Sequence, residues 1–178
     1  MRWTVHGERS LYESFWVNLR LVDVEIPDGP RFEHHVVRIP APAGGCVVYD
    51  PSRGVLLLWR HRFITDTWGW EIPAGRVDEG ETPKQAAGRE TIEEAGWSVD
   101  TLTHMTTYNP CNGVVDQQFH LYLGTGPTHL GEPTDTSESE FVAWVTVDQL
   151  RADIQAGKVP DGLSLTALLW ALNFNHIS

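Results

Sequence analysis

The stretch Gly75-Arg-Val-Asp-Glu-Gly-Glu81-Thr-Pro-Lys-Gln-Ala-Ala-Gly-Arg89-Glu90-Thr-Ile-Glu93-Glu94-Ala-Gly96-Trp97 decides the fold, because it contains both the start and the stop signal of one helix. Thr82 is a residue type that caps helix N-termini, and Pro83 suits the first helical position. Gln85 stands three residues after Thr82, which permits a reciprocal capping box. Gly96 can adopt the left-handed conformation that ends a helix. The stretch therefore predicts a helix over residues 83–95.

The same helix carries a cluster of carboxylates. Glu90, Glu93 and Glu94 stand at positions i, i+3 and i+4, so they share one helix face. Like charges at this spacing repel each other, and a divalent cation would offset the repulsion. Mg²⁺ and Mn²⁺ prefer oxygen ligands and commonly bind carboxylates together with substrate phosphates. A solvated acidic helix face is the alternative interpretation.

The spacing of these residues resembles the signature of the Nudix hydrolase family. That signature is a glycine, five residues, a glutamate, seven residues, Arg-Glu, two residues, Glu-Glu, one residue, a glycine and an apolar residue. This chain supplies in register Gly75, Glu81, Arg89, Glu90, Glu93, Glu94, Gly96 and Trp97. The one departure is Thr91, where the family has an aliphatic residue, and the threonine methyl group can still pack inward.

The resemblance implies an α/β fold, the Nudix fold, in which α-helices sandwich a mixed β-sheet. Alternating residues over 15–25 and 32–39 predict an N-terminal β-hairpin. This hairpin is similar to the extension through which ADP-ribose pyrophosphatase-like members pair as homodimers. We therefore expect a single Nudix hydrolase domain over 1–178, with 1–42 as dimerisation strands and 43–178 as the catalytic core.

The rest of the chain alternates strands and helices. Apolar runs predict strands, and helical spacing predicts two helices after the signature helix. The predicted strands cover 46–49, 55–59, 98–108, 117–123 and 141–146, and the predicted helices cover 147–156 and 164–174. Residues 60–70 read as a loop, as do residues 124–139, which are rich in Gly, Pro, Thr and Ser.

The family resemblance implies a metal site on the signature helix. Glu90 and Glu94 are the expected ligands of Mg²⁺ or Mn²⁺, and the carbonyl of Ala74 is an expected backbone ligand. Glu93 would be a further ligand or a catalytic group. With this cofactor, a family member cleaves the diphosphate of a nucleoside diphosphate linked to another moiety. Phosphoryl chemistry of this kind depends mainly on positioning and charge neutralisation.

The resemblance also implies residues that assist the attack of water. Related enzymes often carry the catalytic base on a late loop, where Glu138 is favoured and Glu140 is the alternative. Two solvated glutamates in an acidic loop would be the ordinary explanation of the same residues. Arg89 would serve catalysis by orienting the metal ligands together with Glu81. For these two residues the alternative is an ordinary surface ion pair.

Substrate-binding candidates precede the signature. Arg62 falls where relatives have an arginine that can bind phosphate in a bidentate way. Glu71 and Trp70 belong to the Trp-Glu-Ile-Pro-Ala-Gly segment, which resembles ADP-ribose and nucleotide-sugar hydrolases, although core packing is the favoured role for Trp70. Asn112 and Gln117 depart from the usual ADP-ribose pattern. ADP-ribose is therefore one option among the nucleoside diphosphate sugars.

Composition limits the other classes of function. The chain has 178 residues and a formal net charge of −11, which argues against nucleic-acid binding because that needs clustered Lys and Arg. No long apolar run or signal-peptide pattern is present, so we expect no membrane contact and a cytoplasmic location. Cys46 and Cys111 are expected to be reduced thiols.

Two further functions remain open from the sequence. A house-cleaning nucleoside triphosphate pyrophosphatase would use the same carboxylates. A non-catalytic Nudix module that senses a ligand is the other alternative, and it predicts loss of signature carboxylates, all of which are present here.

Overall fold

The computed structural model describes residues 1–135 and 139–178, and it divides into two compact units. The first unit contains Met1–Pro42 and Asn109–Gln118. The second contains Ala43–Tyr108 and Phe119–Ser178.

The first unit is built on a three-stranded antiparallel sheet in the order β1-β2-β3. Its strands are β1 (Thr4–Tyr12), β2 (Asn18–Glu25) and β3 (Arg31–Arg38). Strands β2 and β3 are the predicted hairpin, whereas β1 was not predicted. All nine residues of β1 are exposed, and the strand is held by its pairing with β2. An ion pair of 2.7 Å between His6 Nε2 and Glu25 Oε2 also joins these two strands.

Residues Asn109–Gln118 join this unit although they follow a strand of the other one. The Val37 N–H donates to the Val114 carbonyl at 2.8 Å, and the Asp116 N–H donates to the Val37 carbonyl at 3.2 Å. The Asp116 carboxylate accepts a further bond of 2.8 Å from the Ile39 N–H. The loop is thus fixed along β3 by main-chain hydrogen bonds.

The second unit contains a seven-stranded mixed sheet. Its strands are β4 (Ala43–Asp50), β5 (Gly54–Arg62), β6 (Thr67–Glu71), β7 (Ala74–Arg76), β8 (Trp97–Tyr108), β9 (Phe119–His129) and β10 (Phe141–Val145). The main order is β10-β5-β4-β9-β8, while β6 pairs with β5 and β7 pairs with β4. Strands β4 and β9 run parallel, and the other pairs are antiparallel.

Helices cover both faces of this sheet, as the resemblance implied. Val47 and Leu57 point to the face that packs against α2 (Val147–Gln155) and α3 (Gly162–Asn173). The alternate residues of the same strands point to the other face, because successive side chains of a strand point to opposite sides. These residues, Cys46, Val48, Leu56 and Leu58, pack against Ala87 and Ala95 of α1 (Pro83–Ala95). The predicted α/β sandwich, a mixed sheet between α-helices, is confirmed.

Helix α1 has the predicted bounds and caps. Thr82 and Gln85 form the reciprocal capping box, and Gly96 is left-handed with φ 73°. Thr91, the departure from the family pattern, is fully buried, and its hydroxyl donates to the Ala87 carbonyl at 2.7 Å. The buried hydroxyl is therefore satisfied within the helix. A Cβ atom at Gly44 would overlap the Pro83 carbonyl, so glycine lets the start of α1 lie directly on β4.

Two loop predictions were wrong. Strand β5 continues to Arg62, and β6 begins at Thr67, so residues 60–70 form a hairpin. Strand β9 continues to His129 through residues whose composition had indicated a loop. Both cysteines are free, with Cys46 buried and Cys111 exposed. In residues 1–135 and 139–178, no helix has the length and apolar character needed to cross a membrane.

Candidate active site

The short strand β7 lies against the carboxylate-bearing face of α1. The Ala74 N–H donates to Glu94 Oε2 at 2.9 Å. The Glu90 carboxylate lies so close to Gly75 that a Cβ atom there would overlap it. Arg89 Nη2 donates to the Arg76 carbonyl at 2.9 Å. The structure thus brings together Ala74, Glu90 and Glu94, which we call the α1–β7 site.

Arg89 gathers three carboxylates around one guanidinium. Its Nε and Nη2 donate to the two oxygens of Glu81, each at 3.1 Å. Its Nη1 donates to Glu90 Oε1 at 2.7 Å and to Glu93 Oε2 at 2.8 Å. Glu93 is the outermost of the three, with 44% of its side chain exposed. The expected Arg89–Glu81 pair is therefore present, and it extends to two signature glutamates.

The Glu81→Gln variant is expected to lower the melting temperature at neutral pH but not in acid. The hydrogen bond from Arg89 lowers the pKa of Glu81 below its ordinary value of 4.5. Because the folded-state pKa is the lower one, the stabilisation is complete above pH 4.5 and is lost as the pH falls through the folded-state pKa. Thermal unfolding of both proteins from pH 7 to a pH below the folded-state pKa of Glu81 measures this.

Glu79→Gln is the matched control for Glu81→Gln, because Glu79 is exposed in the same loop. It should leave the melting temperature unchanged at every pH. If the melting temperatures of wild type and Glu81→Gln differed by the same amount at neutral and at acid pH, the stabilising contact of Glu81 with Arg89 would be contradicted.

Glu94 is buried and lies beside a buried arginine. Arg60 Nη2 donates to Glu94 Oε1 at 2.8 Å, and only 2–3% of either side chain is exposed. Burial raises the pKa of Glu94 to about 8, while Arg60 and the Ala74 N–H favour the charged form. Glu94 therefore lies in a low-dielectric environment, where a neighbouring positive charge, from Arg60 or from a bound cation, strongly favours its ionised form.

The substrate-binding candidates lie on the neighbouring hairpin of β5 and β6. Arg62 is half-exposed and donates to Glu71 Oε1 at 2.9 Å and to Glu71 Oε2 at 2.6 Å, whereas Glu71 is buried. Both residues line a cavity of about 290 Å³, which is also lined by Thr67 and Asp161. The fork of Arg62 is thus engaged by a carboxylate at the edge of an open cavity.

Trp70, the third candidate, packs into an aromatic cluster. Its ring makes edge contacts with Trp59 and Phe141, with centroids 5.0 and 5.6 Å apart. Its Nε1 donates to Asp153 Oδ2 at 3.1 Å, which ties β6 to α2. These contacts are typical of a tryptophan that packs in the protein interior and has a structural role.

The two candidates for the catalytic base differ in what the structure describes. Glu138 lies outside the described residues. Glu140 is exposed, and its N–H donates to the Trp59 carbonyl at 2.8 Å. Glu140 also lines a cavity of about 480 Å³ together with Trp97 and Trp144. Its main chain is thus fixed to β5 where it enters β10.

The donors at the α1–β7 site suit a hard divalent cation, since they are carboxylate and backbone oxygens. In the described part of the chain, no three His, Cys, Asp or Glu side chains are grouped so that they could hold a metal ion. Glu94 is paired with Arg60, and Glu90 is paired with Arg89. A carboxylate offers about four acceptor positions. Glu94 uses two of them here, which leaves capacity for a cation.

Arg60 is a residue of this site to which the sequence assigned only a weak candidacy for substrate contact and no role beside Glu94. It was placed in a loop, although it continues the alternation of Leu56 and Leu58 along β5. That alternation was the available signal, because it assigns the Arg60 side chain to the buried face under α1.

The chain is similar to several known proteins. A family model described as NUDIX domain matches residues 40–163. A CMP-5'-(N-acetyl-N-hydroxy-3-aminopropyl)phosphonate hydrolase of Streptomyces rubellomurinus is 38% identical over 97% of this chain and 83% of the relative. An ADP-ribose pyrophosphatase of Bacillus subtilis is 28% identical over 91% of this chain and 88% of the relative. A crystal structure of an ADP compounds hydrolase is similar in fold, with a TM-score of 0.87 over 99% of this chain and 95% of that one, at 16% identity.

Proposed function

Because this chain belongs to the NUDIX family, we propose that it hydrolyses the diphosphate of a nucleoside diphosphate linked to another moiety. It is a hydrolase of phosphoric anhydride bonds, in a family that generally uses divalent metal ions. The observation that carries the proposal is the α1–β7 site, where Glu90 and Glu94 flank the main chain at Ala74 and Gly75.

In this proposal the α1–β7 site holds Mg²⁺ or Mn²⁺. Glu90, Glu94 and the Ala74 carbonyl are its ligands, and Glu93 is a further ligand or acts directly in catalysis. When bound, the cation neutralises charge on the diphosphate and so favours attack by water. Arg89 holds the carboxylates of Glu90 and Glu93 close together, since its Nη1 donates to both.

The remaining roles concern the proton and the substrate. Glu138 or Glu140 accepts the proton of the attacking water, and both directly precede β10 in the chain. Arg62 binds a phosphate from the edge of its cavity, and Glu71 holds Arg62 in place by accepting hydrogen bonds from its Nε and Nη2. Trp70 has a structural role in the β5–β6 hairpin, where it packs against Trp59 and Phe141.

Two substrate classes follow from the relatives. One is a cytidine nucleotide joined to a phosphonate, which the 38% identical relative is named for. The other is ADP-ribose or a nucleotide sugar, in line with the 28% identical relative. Both contain a nucleoside 5'-phosphate joined to a further group, so the same metal site serves either.

A substrate panel tests this function directly. The full chain is incubated with Mg²⁺ or Mn²⁺ and with ADP-ribose, GDP-mannose, UDP-glucose, a CMP-linked phosphonate or dNTPs. We expect release of a nucleoside monophosphate from a diphosphate-linked compound, and no release in EDTA. Turnover of dNTPs alone would instead support the triphosphate pyrophosphatase, and no turnover of any compound would overturn the proposal.

The domain and assembly proposals rest on the first unit. We propose that Met1–Pro42 pairs two copies of one catalytic domain into a homodimer. Strand β1 supports this, because it forms an open sheet edge and exposes Val5, Leu11 and Tyr12. A cytoplasmic location is in line with the two free thiols, and the net charge of −11 supports a small-molecule partner rather than nucleic acid.

A further inference from the structure

Arg60 is an arginine with almost no access to solvent. Only 2% of its side chain is exposed, and it lies on β5 beneath α1. Arginine is almost never fully buried unless it is paired. Here Nη2 lies 2.8 Å from Glu94 Oε1, and Nη1 lies 3.6 Å from Glu71 Oε2. The one guanidinium therefore connects two buried carboxylates on different elements.

These residues form a charge-balanced chain from the cavity to the α1–β7 site. Arg62 contacts Glu71, Glu71 contacts Arg60, and Arg60 contacts Glu94. Among the described residues, this chain contains two arginines and two glutamates, whose formal charges cancel when both carboxylates are ionised. Buried charges are tolerated when they are paired and hydrogen-bonded in this way. The arrangement explains why a second arginine stands two residues before Arg62 on the same strand.

Arg60 and the main chain of β7 together fix both oxygens of Glu94. Arg60 holds Oε1, and the Ala74 N–H holds Oε2 at 2.9 Å. With both oxygens held, the carboxylate plane cannot rotate freely, and its remaining acceptor positions keep one direction. A ligand held in this way is pre-oriented for a metal ion.

We propose that Arg60 is a positioning residue that fixes the Glu94 carboxylate for the divalent cation. The inference rests on the proposed function, because it takes Glu94 as a metal ligand. Arg60 acts through Glu94 and touches neither the cation nor the substrate. Its planar fork matters, since a lysine ammonium is a compact point charge that lacks this fixed geometry.

The test uses Arg60→Gln and Arg60→Lys in the full chain, with Arg53→Gln as the matched control. Arg53 is a partly buried arginine of the same unit that contacts Asp50, Trp97 and Trp144 instead. Two properties are measured without substrate: Mn²⁺ affinity by electron paramagnetic resonance, and hydrogen exchange of the Ala74 amide by NMR.

In Arg60→Gln we expect the Mn²⁺ dissociation constant to rise about 10-fold or more, as for loss of other groups that orient metal ligands. The Ala74 amide should exchange faster because its acceptor is no longer held. Arg60→Lys should show smaller changes in the same direction, and Arg53→Gln should show neither.

Wild-type Mn²⁺ affinity and Ala74 exchange in folded Arg60→Gln would overturn the proposal. Tighter Mn²⁺ binding would also overturn it, since Arg60 would then compete with the cation. If Arg60→Gln fails to fold, Arg60→Lys decides, and unchanged values there contradict positioning by the fork. The Glu94→Gln variant separates the two proposals. Unchanged Mn²⁺ affinity in Glu94→Gln would refute Glu94 as a metal ligand. The exchange of the Ala74 amide in Arg60→Gln would still report whether Arg60 orients the Glu94 carboxylate.

Discussion

Replacing Glu94 by glutamine is expected to lower kcat on the best substrate by about 10²–10³-fold, as for removal of other pre-organised electrostatic groups. Glutamine has nearly the same size, and its amide oxygen can still accept the Ala74 N–H. It carries no charge, so it binds a divalent cation poorly. The loss should therefore appear in kcat and in the Mg²⁺ concentration needed for activity, measured by monophosphate release.

The control for this variant is Glu33→Gln, which removes another glutamate that is paired with an arginine. Glu33 lies on β3 and contacts Arg9 at 2.8 Å. Its replacement should leave kcat unchanged. Near wild-type turnover in Glu94→Gln, with the Mg²⁺ requirement intact, would refute the assigned role of Glu94.

Gly75→Ala is the second variant with a large expected effect, and it should impair activity without unfolding the protein. The new Cβ atom would overlap the Glu90 carboxylate, which is the flexible end of a side chain and can rotate away. The fold is then retained, whereas Glu90 leaves the α1–β7 site. A displacement of about 1 Å in a catalytic arrangement can cost about 100-fold in rate. We therefore expect kcat to fall by about 100-fold.

Gly113→Ala is the matched control for Gly75→Ala, because nothing lies within 4 Å of a Cβ atom there. Thermal unfolding should show that both variants are folded, and steady-state kinetics should show a loss in Gly75→Ala alone. Equal activity in the two variants would mean that close approach of Glu90 to Gly75 is unimportant for catalysis.

Helix α1 could be predicted to the residue because its signals are local. Thr82, Pro83 and Gly96 act through the backbone of their own neighbours, so no distant contact can displace them. The same holds for the shared face of Glu90 and Glu94, which follows from the helical period.

The strand ends could not be predicted in this way, because they depend on distant partners. Residues 124–129 have a loop-like composition, yet they extend β9 by pairing with β8. Arg60 and Arg62 looked like loop residues because they are charged. They lie in β5 because this part of the strand pairs with β6, and Glu71 and Glu94 supply the opposite charges.

Strand β1 was missed for a related reason. It has no buried face, and hydrophobic alternation is the main sequence signal of a strand. Its order comes from main-chain pairing with β2 and from cross-strand ion pairs such as His6 with Glu25. An exposed edge strand of this kind is identified only once its neighbour is known.

A crystal of the protein soaked with Mn²⁺ and a non-hydrolysable analogue of its best substrate tests the central claim most directly. The account predicts an anomalous peak within coordination distance of Glu90, Glu94 and the Ala74 carbonyl, with a diphosphate oxygen of the analogue as a further ligand. A peak elsewhere, with Glu90 and Glu94 still bound only to Arg89 and Arg60, would contradict it.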